Sequence, residues 1–348
     1  MSELALPRLE YPFEPLVSPL ADEVDAECFR WGLEQGIFHL GDPEEYRGTR
    51  VGWLAARTAP CATREGMRLL ADWQMWLFAF DDGFCDESEF GARPATMIRR
   101  VVDFAGVLES GGGEYHAAHS AGELLDVENG LGRCLGRAVE SPFRAALADL
   151  AVRLRPCAQG YQWARFVSAV QGYFMAQCWE AANRSAAGAG GAPPPPAEYV
   201  RLRRHSGAVR TCIALTDVAD GFELPAEEYD DPEVVAVTDM AVDVACWAND
   251  IMSYPKEVAR SHVVHSLPAV LGYWRGLDPQ QALQDAARMH DEQVRRYLAA
   301  ERTVRARASE PLSRYLDDLR FWMSGNLSWS LETGRYPCFD ALEGERYA

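Results

Sequence analysis

Three oxygen-bearing side chains at steps of four residues carry the first chemical suggestion in this sequence. They are Asn249, Ser253 and Glu257, within Asn249-Asp250-Ile251-Met252-Ser253-Tyr254-Pro255-Lys256-Glu257. At 3.6 residues per turn they share one face of a helix. An amide oxygen, a hydroxyl and one carboxylate form a hard, weakly charged donor set. Such a set suits Mg²⁺, which keeps several waters and shares its other positions with substrate phosphate. A plain polar helix face has the same spacing, so other residues must decide between the two. Pro255 lies between Ser253 and Glu257 and removes one helix hydrogen bond, which predicts a kink affecting where Lys256 and Glu257 point.

A second group, Asp81-Asp82-Gly83-Phe84-Cys85-Asp86-Glu87, ends the apolar run Trp73-Gln74-Met75-Trp76-Leu77-Phe78-Ala79-Phe80. Carboxylates at the C-terminal end of a helix meet the negative end of its dipole, at a cost of about 0.3–1 kcal/mol each. Divalent cations would reverse that cost, with Asp81 facing them and Asp82 or Asp86 in support. A solvated helix end is the other account. A third group is basic, with Arg201, Arg203 and Arg204 inside Tyr199–Ala208. Guanidinium groups match phosphate oxygens two at a time. Arg201 and Arg204 equally suit a surface role offsetting nearby acids. Gly207 in this helical pattern predicts a break or a close backbone approach. Near the C-terminus, Arg335-Tyr336 forms a pair able to close over a phosphate.

These residues need helices to hold them. Helical periodicity recurs over residues 21–41, 65–82, 94–108, 133–153, 161–184, 197–222, 233–253, 278–305 and 310–332, with no strand alternation and no fixed repeat. Residues 1–20 hold four prolines and read as an irregular arm over the body. The stretch 186–196 (AAGAGGAPPPP) reads as a loop between helices, because chemical motifs lie on both sides of it. The 348 residues, 48% hydrophobic and 11% aromatic, supply a substantial core. Fifty-two acidic residues against 34 basic ones give a net charge of −18, which disfavours nucleic acid and anionic membrane as partners. An anionic substrate therefore needs metal ions to bind. Nine scattered cysteines without a CxxC pair read as reduced thiols. The N-terminus lacks a signal-peptide pattern and no apolar run is long enough to span a bilayer, so a cytoplasmic protein is expected.

In this order, the four groups resemble the motifs of bacterial class I terpene synthases. Cys178-Trp179-Glu180-Ala181-Ala182-Asn183-Arg184 is similar to that family's Trp-Glu-x-x-Asn-Arg helix, and the resemblance covers nearly the whole chain. It implies an all-α fold: one domain over 1–348, a helical bundle around a central apolar cavity, with 333–348 as a C-terminal segment bearing the Arg-Tyr pair. It implies three Mg²⁺ ions, with Asp81 holding two and Asn249, Ser253 and Glu257 the third. Arg203 matches the diphosphate sensor, and Ser206 and Gly207 match the linker and effector of the helix break. Lys256, Arg335 and Tyr336 match diphosphate donors, and Asp82 is expected to pair with an arginine as the site closes. Oligomeric state in the family is monomer or homodimer.

The implied reaction is ionisation and cyclisation of a linear prenyl diphosphate. Farnesyl diphosphate (C15) is favoured, with geranylgeranyl diphosphate (C20) close behind. Phe78, Trp76, Phe174, Trp179, Trp322 and Trp329 are candidates for the cavity wall, where aromatic faces attract passing cations. Phe78, one turn before Asp81, is the first choice among them. No general base stands out: His205 lies in the sensor motif, and the other six histidines show no ligand spacing. A chain-elongating prenyl transferase would carry a second aspartate-rich motif in place of Asn/Ser/Glu. A proton-initiated cyclase would need Asp-x-Asp-Asp, which is absent. A helical scaffold protein is the non-enzyme alternative.

Overall fold

The computed structural model describes residues 4–38, 43–86, 89–112, 141–260 and 265–336. The expectations for 39–41, 133–140 and 337–348 lie outside them. All regular elements among the described residues are helical. In chain order, the first half comprises α1 (Ala21–Gln35), α2 (Pro43–Thr49), α3 (Val51–Thr58), α4 (Arg64–Phe80), α5 (Pro94–Glu109), α6 (Pro142–Leu154) and α7 (Gly160–Gly188). The second half comprises α8 (Pro196–Ser206), α9 (Val209–Ile213), α10 (Thr216–Ala219), α11 (Ala226–Tyr229), α12 (Pro232–Arg260), α13 (Leu267–Arg275), α14 (Pro279–Arg305) and α15 (Glu310–Glu332).

Local chemistry sets several of these boundaries. Gly36 ends α1 with φ +68°, a left-handed C-cap that stops the helix well short of residue 41. Thr63 caps α4 by accepting from the Gly66 N–H, and Asp278 and Gln281 form a reciprocal capping box at the start of α14. α7 continues to Gly188, so the connection into α8 is shorter than the composition of 186–196 suggests. Its polyproline part is docked, because the Trp274 indole donates to the carbonyls of Pro193 and Pro194. The helical pattern over 197–222 is broken into α8, α9 and α10. The short helices α2, α3 and α13 have too few turns to show a clear period, which is why periodicity misses them.

α4 is buried on nearly all sides and forms the centre of the bundle. On one side Trp76 stacks on Trp73 and Phe80 at 5.4 and 5.0 Å, with Phe104, Phe143 and Phe174 at 5.7–6.2 Å. This aromatic cluster fixes α4 against α5, α6 and α7. The N-terminal arm lies along α14: the Tyr11 hydroxyl meets His290 at 3.0 Å, and the Phe13 ring packs edge-on against Tyr297.

At the far end of α4, Asp220, just after α10, neighbours Asp318 of α15, and each carboxyl has one buried oxygen without a hydrogen-bond partner among the described residues. Arg314, Asp217, Asp317 and the Cys61 thiol complete the charged and titratable surroundings. Burial pushes both carboxyls up, Asp220 to about 6 and Asp318 to about 9, so the pair holds a proton at neutral pH. A carboxyl whose pKa is raised by folding stabilises the fold at low pH, and that stability is lost as pH rises through the folded value. The melting temperature of the native protein is expected to fall between pH 6 and pH 9 more steeply than that of Asp318→Asn, which keeps a donor without a titrating proton. Calorimetry at matched ionic strength checks this.

Candidate active site

α4 does not stop cleanly at Phe80. Asp81–Asp86 continue it as one wider π-helical turn, a geometry that occurs mostly as local bulges and often at functional positions. Both leading aspartates are partly exposed at its start, while the Asp86 side chain lies outside the described residues. Asp82 receives a two-pronged ion pair from Arg335, at 2.8 and 2.6 Å. Burial works against the Arg335 charge, but Asp82 outweighs it, with Asp81 adding to the effect, and the guanidinium stays firmly protonated.

The next residue, Tyr336, is buried and reaches the other motif. Its hydroxyl accepts from Asn249 Nδ2 at 2.8 Å. Asn249 Oδ1 in turn accepts from the Arg203 guanidinium at 3.0 Å. The Arg335-Tyr336 pair therefore joins the aspartate end of α4 to the Asn/Ser/Glu face of α12 and, through Asn249, to Arg203 on α8. Lys256 Nζ lies 5.9 Å from the centre of the Tyr336 ring.

α12 runs through Pro255 without ending, reaching Arg260. Ser253 Oγ donates to Glu257 Oε1 at 2.5 Å, so these two side chains keep the common face that four-residue spacing demands. The oxygens of Asn249, Ser253 and Glu257 are hard donors on one helix face and fit a divalent cation of the Mg²⁺ type. Among the described residues no three His, Cys, Asp or Glu side chains converge on a point. A cation held here would thus draw on an amide, a hydroxyl, the single carboxylate of Glu257 and ligand oxygens from outside the protein.

Arg203 is held from behind by Asp250, which accepts from its Nε at 2.8 Å. Asp250 also accepts from the Tyr199 hydroxyl at 2.7 Å and the Leu267 N–H at 3.0 Å. Glu180 and Arg184 pair one turn apart on α7, and Glu180 also faces His265. Burial would raise the Glu180 carboxyl, but His265, Arg184 and Arg203 hold it below the usual carboxylate range. After Ser206 the helix breaks, and Ala208 takes φ +60°, a strained value for a residue with a side chain. Gly207 is required by close approach, since a Cβ there would collide with Cys246 Sγ of α12.

Two of the aromatic wall candidates meet at this site. Phe78 packs on Trp329 at 5.5 Å, Arg335 lies over the Phe78 ring at 4.8 Å, and Trp329 meets Tyr336 edge-on. The structure places Trp76 and Phe174 in the aromatic cluster described above instead. Trp179 packs on His265 and donates to Glu198. Trp322 is buried, and its indole nitrogen has no partner among the described residues. Asp250 and Tyr199 lie within stretches singled out from the sequence but had no role there. The available signal was an acid directly beside Asn249 within the metal-motif stretch.

The family model for terpene synthase family 2, C-terminal metal binding, matches residues 72–296. The chain belongs to the terpene synthases. It is 33% identical over 334 residues to a 4-epi-cubebol synthase from Streptosporangium roseum, covering 96% of this chain and 92% of that one. It is 32% identical to a (+)-T-muurolol synthase from Roseiflexus castenholzii, covering 94% and 93%. The crystal structure of the SVS_A2 protein from ancestral sequence reconstruction superposes with a TM-score of 0.79 at 29% identity, covering 94% of this terpene synthase and 90% of that chain. These matches confirm the bacterial class I family and the all-α fold expected from the motifs. Among the described residues of this terpene synthase no helix is long and apolar enough to cross a membrane, and none of the seven cysteines is in a disulfide.

The close packing at Gly207 can be tested through stability. Gly207→Ala forces α8 away from α12 and is expected to cost about 1–3 kcal/mol in urea unfolding. Adding Cys246→Ala opens the space, so the double variant is expected to lose less than the two single losses added together.

Proposed function

We propose that this terpene synthase ionises farnesyl diphosphate with Mg²⁺, cyclises the chain to a sesquiterpene and releases diphosphate. The observation that carries the reading is the Arg335-Tyr336 bridge, which brings Asp82 and Asn249 to one site beside Arg203. The two relatives with the cubebol and muurolol activities are both named as cyclising (2E,6E)-farnesyl diphosphate, which supports the C15 chain length.

In this reading Asp81 holds two Mg²⁺ ions, and Asn249, Ser253 and Glu257 hold the third. Bound cations supply Lewis-acid neutralisation of the leaving diphosphate. Arg203, Lys256, Arg335 and Tyr336 donate to the same group, and their charges and dipoles are in place before ionisation, which lowers its barrier without reorganisation. Phe78 and Trp329 form an apolar wall next to the diphosphate. Their ring faces attract the allylic cation and keep water from it. Ser206 and Gly207 contribute through the helix break that follows Arg203.

The test is incubation of the purified protein with Mg²⁺ and, separately, C10, C15 and C20 prenyl diphosphates, followed by analysis of extracted volatiles. A cyclic C15 hydrocarbon or alcohol is expected, lost with EDTA and reduced about 100-fold or more by Asn249→Ala. A cyclic product from the C20 substrate alone would replace farnesyl with geranylgeranyl diphosphate. Release of only linear alcohols from a folded protein would overturn the cyclase reading.

A further inference from the structure

We propose that Asp250 is a positioning residue for Arg203: its carboxylate anchors the guanidinium at Nε, so that Arg203 gives up Asn249 and takes up diphosphate by turning in place. The inference rests on the function proposed above and extends it to a residue that has no part in metal or diphosphate contact.

The geometry is specific. Asp250 is 2% exposed, and its two oxygens divide three donors between them. Oδ1 takes Arg203 Nε and also lies 2.8 Å from Arg203 Nη2, while Oδ2 takes the Tyr199 hydroxyl and the Leu267 N–H. Tyr199 and Arg203 stand four residues apart on one face of α8, and Leu267 is the first residue of α13. One carboxylate thus ties the sensor helix and the start of α13 to the metal-motif helix α12. The carboxamide of an asparagine has only one oxygen. It could serve Oδ1 or Oδ2 but not both, and would turn an N–H toward a donor on the other side.

The second half of the argument concerns Asn249. Nη2 of the same guanidinium, which Asp250 Oδ1 also holds at 2.8 Å, donates to Asn249 Oδ1, the oxygen proposed as a metal ligand. A divalent cation on that oxygen and a guanidinium hydrogen-bonded to it are like charges at close range. Cation binding therefore displaces that N–H from Asn249. With Nε and Nη2 still held by Asp250, the guanidinium stays beside the site and meets the diphosphate oxygens bound to the same cations. Without the anchor, a long and flexible arginine has to be ordered by the ligand itself, at an entropic cost.

The experiment measures binding of inorganic diphosphate by calorimetry in the presence of Mg²⁺, alongside steady-state kinetics. The variants are Asp250→Asn, Arg203→Lys and the double variant, each checked for native far-UV circular dichroism. Asp250→Asn is expected to weaken diphosphate binding about 10–100-fold, as loss of an orienting partner typically does. kcat is expected to fall by more than KM rises. In the Arg203→Lys background, where no Nε–H remains to anchor, the same substitution is expected to have little further effect. Equal losses in both backgrounds would overturn the proposal and leave Asp250 a structural residue. Should Asp250→Asn not fold, Tyr199→Phe takes its place in the cycle; it removes one hydroxyl, and a several-fold loss confined to the Arg203 background is expected. If the native protein binds no diphosphate with Mg²⁺, the functional reading fails and this inference fails with it; normal native binding with additive losses overturns the inference alone.

Discussion

The two-pronged pairing of Arg335 with Asp82 is the interaction on which the site's assembly depends. Most of the chain's charge is negative, and the end of α4 adds carboxylates where the helix dipole already disfavours them. A guanidinium packed beside Asp82 offsets that local charge, and the partial burial of the pair makes loss of either partner costly. The position of Tyr336 follows directly from it. Anchored by its neighbour, Tyr336 reaches Asn249, and so the C-terminal segment sets the distance between two helices that the sequence separates widely.

Around this staple, the donor atoms of the site are bonded to one another. Ser253 donates to Glu257, Asn249 accepts from Arg203 and donates to Tyr336, and Asp250 takes three donors at once. Buried polar groups are costly unless paired, so a network of this kind keeps each side chain in one orientation. Ligand binding then exchanges one set of partners for another. The aromatic cluster around Trp76 serves the same end from the opposite side of α4. By fixing that helix against three others, it fixes where Asp81 and Asp82 emerge.

Much of the fold was legible in the sequence because helix period and end chemistry are local. The long helices α4, α5, α7, α12, α14 and α15 each repeat their apolar stripe over several turns. The start after residue 63 follows from a threonine able to cap, whereas periodicity was read through to residue 41 and missed the end that Gly36 makes with its positive φ. Short helices gave no such signal. The break after Ser206 was anticipated from Gly207, but the positive φ falls one residue later at Ala208, which has no sequence marker. Pro255 was expected to disturb α12, yet the helix continues through it and keeps Ser253 and Glu257 on one face.

What the sequence determined by itself was the set of side chains and their local spacing: Asn249, Ser253 and Glu257 on one helix face, an aspartate pair after an aromatic run, and a cluster of arginines. Those relations span a few residues and are fixed by the rise and turn of a helix. Tertiary structure alone decided which of them meet. Arg335 finds Asp82 across 253 residues and Asn249 finds Tyr336 across 87, distances over which no periodicity acts. It also decided that Phe78 and Trp329 pack beside Arg335 and Tyr336 while Trp76 and Phe174 pack among other aromatics, because a helix buried on nearly all sides shows no polar face from which direction can be read. The task of Asp250 was hidden for the same reason: its three donors come from two other helices, and only packing brings them to one carboxylate.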